Sequence, residues 1–274
     1  MKSKKEKIKR VLDEFIPSLL CSPDELNKYL GSLKYFHKYS LRNLIIAQQD
    51  YYSKYGKMAE GYWSTYKQFQ NMNRQVQKGQ KSSVMIRPQQ KKFAVKNDKG
   101  EEEERFKTYY VPFSVFDVSQ TEGEEIGQDV KELYSGVSSL SEDEIFNYVE
   151  QYYKINKTDT KIKRGSTDGK EINISYNDNT SVNSRINTLI HELAHNKLNH
   201  FERKISREAA EVEAETTAYI ITTLLNIENK KSRLYVAGWG SDDTKKILKK
   251  SSGKILSVAE EIVKDLNKLY GVDL

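Results

Sequence analysis

The sequence predicts an α+β protein of two domains, and three observations support this fold class. Up to Gln120, helical apolar spacing alternates with short strand-like runs, which predicts helices beside a small antiparallel sheet. Thr121–Asp129 is polar and contains two glycines, as linkers do, so we predict domains over residues 1–122 and 123–274. The second domain carries the motif H-E-x-x-H on a helical pattern, which is typical of a zincin-like metallopeptidase domain.

Four helices are predicted in the N-terminal domain. Each has apolar residues at helical spacing. The second begins at Ser22-Pro23, because serine caps a helix and proline fits its first turn. The four segments are Lys2–Leu20, Leu26–Leu33, the run from Tyr39-Ser40-Leu41-Arg42-Asn43 to Gln49, and a short run that Gly61-Tyr62-Trp63 opens.

The sheet of the N-terminal domain is predicted from three strand-like runs. Ser82–Arg87 follows the turn Gln77–Lys81, and Phe93–Val95 and Phe106–Phe113 flank the hydrophilic segment Lys96–Arg105. We interpret that segment as the loop of a β-hairpin.

The second domain is predicted to open with a helix over Ser141–Tyr153. A hairpin follows at Thr167-Asp168-Gly169, and its return strand Glu171–Tyr176 alternates apolar and polar residues. After the two helices of the H-E-x-x-H site, a last helix is predicted over Ser257–Tyr270.

His191-Glu192-Leu193-Ala194-His195 reads H-E-x-x-H within a helical pattern over Ser181–His200. Residues four apart lie on one face of a helix, so both imidazoles can bind one zinc ion. Zinc lowers the pKa of a bound water to roughly 7, and Glu192 can accept its proton as the water attacks a carbonyl. We therefore predict His191 and His195 as zinc ligands and Glu192 as the catalytic base.

A zincin site needs a third protein ligand, and the helical pattern over Arg207–Leu225 supplies acids. Glu211 and Glu215 share a face, whereas Glu213 projects about 200° round the helix from Glu211 and is predicted to be solvated. The Glu211/Glu215 pair resembles thermolysin-like enzymes, in which the first acid binds the metal and the second orients a ligand histidine. On that resemblance we assign Glu211 as the metal ligand and Glu215 as the residue that orients a ligand histidine. The reverse assignment stays open, because sequence does not fix the helix register.

Three of the four histidines lie within this motif region, at His191, His195 and His200. Leu198 and Phe201 stand where the longer metzincin motif has a glycine and a third histidine. His200 is therefore predicted to cap the helix or to support the site, and not to bind the metal.

Composition predicts a cytoplasmic protein with no membrane partner. No apolar run approaches the ~18 residues that a membrane span needs, and the first residues lack the pattern of a secretory signal. The one cysteine, Cys21, fits a reducing compartment.

The basic charge is concentrated in the N-terminal third. Residues 1–90 contain seventeen Lys and Arg against seven Asp and Glu, although the whole chain has a net charge of only +6. Interleaved aromatic residues suit single-stranded nucleic acid, because cations track phosphate while rings stack on bases. An aromatic core beneath a solvated basic face is the alternative. The residues concerned are Tyr35, Phe36, Tyr39, Arg42, Trp63, Tyr66, Lys67, Arg74, Lys78 and Lys81.

The order of motifs resembles ArdC-type antirestriction proteins. Over about residues 25–120 the carriers are Tyr39–Asn43, Gly61–Tyr66, Val76–Lys81 and Phe113–Gln120. In the second domain they are His191–His195, Glu211–Glu215 with Ala218-Tyr219, and Tyr235 with Trp239, which also resemble ImmA/IrrE-type peptidases. The resemblance implies a single-stranded-DNA-binding domain joined to a zincin-like metallopeptidase domain, in a protein encoded by a mobile genetic element.

The matching motifs also indicate DNA contacts. Arg42, Tyr66, Lys78 and Lys81 are the predicted DNA-binding residues, and Trp63 is predicted to lie in the core.

The leading hypothesis is a zinc-dependent antirestriction protein that binds single-stranded DNA and cleaves an unidentified protein or peptide. Ile172–Tyr176 is expected to hold this substrate as an added strand, and His200, Tyr219 and Tyr235 are candidates to stabilise the oxyanion. Two alternatives stay open: a single-stranded-DNA-binding protein with a structural metal site, and an ImmA-type peptidase that cleaves a repressor.

Overall fold

The structure, a computed structural model, describes residues 4–31, 39–96, 102–125, 140–159, 164–177, 180–227 and 241–270. The chain forms two compact units, one of Ile46–Glu124 with Met1–Lys9, the other of Arg10–Ile45 with Glu125–Leu274. Both units combine helices with small sheets, and the α+β class is confirmed. The sequence predicted a single division after residue 122, whereas the units assign Arg10–Ile45 to the C-terminal side. In the part that the structure describes, no helix is long and apolar enough to cross a membrane.

The N-terminal helical segments follow the predicted pattern. α1 (Lys4–Arg10), a π-helical turn (Val11–Phe15) and α2 (Ile16–Leu20) succeed one another, and α3 (Pro23–Gly31) begins directly after Ser22. The π-helical turn ends just before Pro17, whose ring nitrogen cannot donate a backbone hydrogen bond. α4 (Leu41–Tyr55) is longer than predicted.

The first unit contains two small antiparallel sheets. Their orders are β1-β4-β3 and β2-β5. Thr65 caps α5, with Gln68 completing a reciprocal capping box. Trp63 and Phe69 are buried, so the core position predicted for Trp63 is confirmed. The elements are β1 (Trp63–Ser64), α5 (Tyr66–Asn71), β2 (Arg74–Val76), β3 (Ser83–Lys96), β4 (Glu102–Asp117), a 3-10 turn (Val118–Gln120) and β5 (Thr121–Gly123).

The hairpin of β3 and β4 is a longer ribbon than the sequence predicted. β3 continues through Pro88 to Lys96, and its register with β4 is unbroken from Ser83↔Val115 to Lys96↔Glu102. The predicted loop Lys96–Arg105 was too long, since only residues 97–101 lie outside the described residues there. The sequence missed this extension because proline, glutamine and lysine are poor strand formers. Pro88 is tolerated because β3 is an edge strand.

The second unit places one sheet among its helices. The sheet order is β6-β8-β7, with β8 parallel to β6 and antiparallel to β7. The predicted hairpin is confirmed, and β6 was not predicted. The elements are α6 (Glu142–Glu150), β6 (Lys154–Thr158), β7 (Gly165–Thr167), β8 (Glu171–Ser175), α7 (Val182–Lys197), α8 (Arg207–Leu224) and α9 (Asp242–Tyr270).

The sheet corrects one functional expectation. β8 is the central strand and pairs on both edges, so the prediction that Ile172–Tyr176 accepts a substrate strand is wrong. Within the described residues, β6 and β7 are the two edge strands beside it.

Two contacts explain why Arg10–Ile45 belongs to the second unit. The Asn27 side chain on α3 accepts a hydrogen bond from the Tyr219 hydroxyl on α8 at 2.9 Å. A Cβ on Gly253 of α9 would lie 2.5 Å from the Arg42 guanidinium. The Arg42 side chain therefore packs directly against α9 at Gly253. α9 begins at Asp242 and not at the predicted Ser257.

Candidate metal centre

Two capped helices position the centre. The hydroxyl of Ser181 accepts from the backbone N–H of Ser184 at 3.2 Å, and Ser206 caps α8 in the same way through Ala209 at 3.1 Å. α7 buries Ile186, Leu189, Ile190 and Leu193, while Ala214 and Ala218 of α8 are buried small residues that permit close helix packing. The buried leucine and isoleucine side chains fix the rotation of α7 and direct both motif histidines toward α8.

Three side chains converge where the sequence placed the metal ligands. The Nε2 atoms of His191 and His195 lie 3.1 Å apart. Oε2 of Glu211 lies 3.4 Å from Nε2 of His191 and 3.7 Å from Nε2 of His195. Donor atoms about 2.0–2.2 Å from one tetrahedral ion are separated by about 3.3–3.6 Å, so this set fits a small divalent cation. Among the described residues, these three form the one group of this kind.

Glu215 lies behind the first histidine. Its Oε2 is 3.0 Å from Nδ1 of His191, the ring nitrogen that faces away from the converging set. Burial lowers the pKa of His191, but its contacts with Glu211 and Glu215 raise that pKa to about 10. Contacts with His191 and His195 hold the pKa of Glu211 far below its usual range. The local charge therefore favours a cation, and a metal ion would displace the His191 proton.

Glu192 is buried beside the sheet and does not belong to the converging set. A Cβ on Gly165 of β7 would lie 3.1 Å from its Oε1 and 2.4 Å from Cγ2 of Thr188. The carboxylate therefore lies next to the edge strand β7.

A second chain of contacts supports His195. The sequence indicated a supporting role for His200 but not the parts of Glu213 and Arg203. Nδ1 of His195 lies 2.9 Å from Nδ1 of His200, whose Nε2 lies 3.0 Å from Oε2 of Glu213. Arg203 donates to both oxygens of Glu213, at 2.5 and 3.1 Å. The expectation that His200 supports the site therefore agrees with the geometry. The prediction that Glu213 is solvated is wrong. The residue is only 3% exposed, because it packs against His200 and Arg203.

The tautomers along this chain follow from the ligand role of His195. A metal on Nε2 leaves the proton on Nδ1, so His195 donates to Nδ1 of His200. His200 must then carry its own proton on Nε2 and donate it to Glu213. Burial lowers the pKa of His200, which favours this neutral form. Burial raises the pKa of Glu213, but His200 and Arg203 outweigh it and lower that pKa to about 2.

Two of the three candidate oxyanion partners have other hydrogen-bond partners. The His200 ring is engaged by His195 and Glu213, and the buried Tyr219 hydroxyl donates to Asn27. Tyr235, and Trp239 of the same motif, lie outside the described residues.

Comparisons with known proteins address the family. Residues 23–116 match the family model described as the N-terminal domain of anti-restriction factor ArdC. The metal-free crystal structure of the antirestriction ArdC protein from the R388 plasmid is similar, with 21% identity and a TM-score of 0.52 over 85% of this chain and 86% of that chain. Residues 23–116 therefore belong to the ArdC N-terminal domain family, and the chain shares the fold of the R388 protein. The Mn(II)-bound structure of the R388 protein gives 20% identity and a TM-score of 0.51 over the same shares. A comparison with curated proteins found no match.

The ArdC-type motifs of the first unit hold a turn in place. The Gln120 side chain donates from Nε2 to Oε1 of Gln80 at 3.1 Å and to the carbonyl of Lys81 at 3.0 Å. This anchors the turn Gln77–Lys81, on which Lys78 and Lys81 are exposed.

The four predicted DNA contacts do not share one unit. Tyr66 is 42% exposed and its hydroxyl accepts from Gln75 at 2.7 Å. It belongs with Lys78 and Lys81 to the first unit, whereas Arg42 belongs to the second, where it contacts Gly253. Tyr35 and Phe36 lie outside the described residues.

Proposed function

We propose that this chain is an antirestriction protein of a mobile genetic element. In this proposal the first unit binds single-stranded DNA, and the second unit is a zinc-dependent metallopeptidase-like centre acting on a protein or peptide. The observation that carries the enzymatic part is the convergence of His191, His195 and Glu211, with the buried Glu192 outside the ligand set. Two neutral imidazoles and one carboxylate suit zinc and leave a fourth position open.

Each residue of the metal centre would have its own role in peptide hydrolysis. A divalent ion held by His191, His195 and Glu211 would supply a Lewis acid for water and for the scissile carbonyl. Glu192 would accept a proton from the attacking water and return it to the leaving amine. Glu215 and the His200–Glu213 pair would keep the two imidazoles oriented. The outer edge of β7, next to Glu192, would receive the substrate as an added strand.

The DNA-binding part is supported by the N-terminal domain family and by the basic charge. The family model of the ArdC N-terminal domain covers residues 23–116, which contain 17 Lys and Arg against 9 Asp and Glu. The exposed Lys78 and Lys81 of the first unit are the predicted phosphate contacts that the fold presents most openly.

One set of variants tests this function. We expect the protein to bind about one zinc per chain by elemental analysis, and His191→Ala and His195→Ala to abolish it. Glu192→Gln should keep the metal and lose peptide hydrolysis, because glutamine cannot accept the proton. All three variants should bind single-stranded DNA normally.

The alternatives predict other outcomes. Metal-loaded protein that binds DNA but hydrolyses no peptide library would favour the structural metal site. Hydrolysis without salt-dependent binding to single-stranded oligonucleotides would favour an ImmA-type peptidase. If Glu192→Gln loses metal as readily as the histidine variants, the role of Glu192 as base is wrong.

Gly165→Ala gives an independent test of the place of Glu192. The added methyl group would lie 2.4 Å from Cγ2 of Thr188 and 3.1 Å from Oε1 of Glu192, so both must move. We expect metal content to stay near wild type while hydrolysis falls by roughly 100-fold, as for a misplaced catalytic group. The double variant Gly165→Ala/Thr188→Ser, which removes the nearest methyl group, should recover part of the activity. Full activity in Gly165→Ala would place the base elsewhere.

A further inference from the structure

The ribbon of β3 and β4 exposes aromatic side chains on both faces. Phe93, Phe106, Tyr109 and Tyr110 are 41%, 63%, 42% and 56% exposed. Exposed apolar groups of this size, clustered on one element, are typical of interaction sites. The sequence predicted strands over Phe93–Val95 and Phe106–Phe113 and indicated no function for them.

The antiparallel register sorts these side chains into two faces. Residues directly opposite each other lie on the same face, and successive residues alternate between faces. One face, which we call the lysine face, alternates cations with aromatic rings along the ribbon. It includes Arg87, Gln89, Lys91 and Phe93 on β3 with Lys107, Tyr109 and Val111 on β4.

The lysine face has a charge pattern that folding does not explain. Lys91 lies directly opposite Lys107 in the register, and like charges in that position destabilise a sheet. Between residues 83–93 and 106–115 neither face contains an acidic residue. On the other face, however, Lys92 reaches Glu104 just beyond this stretch and forms an ion pair at 2.5 Å.

We propose that the lysine face binds single-stranded nucleic acid. Tyr109 and Phe93 would stack on bases, and Arg87, Lys91 and Lys107 would contact the phosphates between them. Successive pairs on one face are about 7 Å apart, which lets cations and rings alternate with phosphates and bases along an extended strand. An acidic peptide would satisfy the cations but offers no planar groups for the rings. Duplex DNA keeps its bases stacked inside, so the rings would gain nothing there.

This inference rests on the single-stranded-DNA binding proposed above, and it adds a surface that none of Arg42, Tyr66, Lys78 or Lys81 provides. The test uses the full chain and a fluorescein-labelled oligothymidylate, with fluorescence anisotropy as the readout. Tyr109→Ala should weaken binding by about 5-fold to 100-fold, as expected for the loss of one stacked base. Tyr109→Phe, which keeps the ring, should bind as wild type.

The neighbouring residue provides a matched control. Tyr110 is also exposed but lies on the opposite face, so Tyr110→Ala should bind as wild type. Lys91→Gln/Lys107→Gln should lower the slope of log affinity against log salt by about 1.4, or about 0.7 per lost phosphate contact. Lys92→Gln should leave that slope unchanged. No variant should have a lower melting temperature than wild type, because every substituted side chain is exposed; removing the opposed lysine pair should if anything raise it.

The outcomes separate the inference from the proposed function. If wild type binds oligothymidylate and the Tyr109 and lysine variants bind equally well, the lysine face is not the site. Equal losses in Tyr109→Ala and Tyr110→Ala would overturn the assignment of the face, and equal wild-type affinity for duplex would overturn stacking. If wild type itself does not bind, the proposed DNA-binding function fails and this inference fails with it.

Discussion

Glu211→Gln should abolish stable metal binding, whereas Glu215→Gln should weaken it by about 10–100-fold. Glu211 is the acid whose oxygen approaches both Nε2 atoms, at 3.4 and 3.7 Å, so its loss removes one of three ligands. Glu215 contacts His191 at Nδ1, on the side of the ring away from the metal, and glutamine there retains an oxygen that can still accept the ring N–H.

Metal titration followed by calorimetry measures both constants on the same preparation. Glu208→Gln is the matched control, because this residue is an exposed acid in the first turn of α8. If Glu215→Gln loses the metal and Glu211→Gln keeps it, the ligand assignment must be reversed.

Glu213→Gln extends this series and corrects the expectation drawn from the sequence alone. A solvated Glu213 would be silent, whereas the structure shows it between His200 and Arg203. We therefore expect metal affinity to fall by about 10–100-fold. Glutamine loses the charge that pairs with Arg203, and its amide N–H can face His200 in place of the acceptor that sets the tautomer. Wild-type affinity in Glu213→Gln would show that the chain of contacts behind His195 does not influence the metal.

The metal site was largely predictable because its information is local. The motif histidines are four residues apart on one helix, and helix geometry alone brings such side chains together. Periodicity placed Glu211 and Glu215 on one face of the next helix, but only the resemblance to thermolysin-like enzymes ranked Glu211 first. Periodicity could not reveal that Glu213 is buried, because an argument from periodicity assumes that a helix has one buried face. α8 is buried on nearly all sides. His200 and Arg203 lie in the chain segment between α7 and α8, where periodicity predicts nothing.

The parts of the fold that depend on distant partners were not predictable. β6 pairs with β8 across more than a dozen residues, and no local pattern reveals that ladder. The extension of β3 through Pro88 depends on pairing with β4. Gly253 interrupted the helical pattern of α9 in the sequence, but its lack of a side chain makes room for Arg42.

Asp117→Ala should destabilise the first unit by roughly 3–6 kcal/mol, because about 1–3 kcal/mol is lost for each of several buried donors left without a partner. The fully buried Asp117 carboxylate accepts from the backbone N–H groups of Glu60, Gly61 and Ser119, at 3.1, 2.9 and 3.1 Å. It also accepts from the Ser119 hydroxyl at 2.5 Å. Alanine removes the acceptor for all four groups, and a loss of this size is a large part of a domain's total stability.

Tryptophan emission during urea denaturation measures this effect. Trp63 is buried and lies opposite Asp117 in the β1–β4 register, and a Trp239→Phe background leaves Trp63 as the remaining tryptophan of two. Asp117→Asn should lose less than Asp117→Ala, since the amide oxygen still accepts. The control Glu122→Ala, at an exposed position of β5, should change stability by no more than about 0.5 kcal/mol. The urea midpoint of Asp117→Ala could instead equal that of the control. Water or a rearranged turn would then satisfy these donors, and the Asp117 hydrogen bonds would not be needed to hold Gly61 against the 3-10 turn.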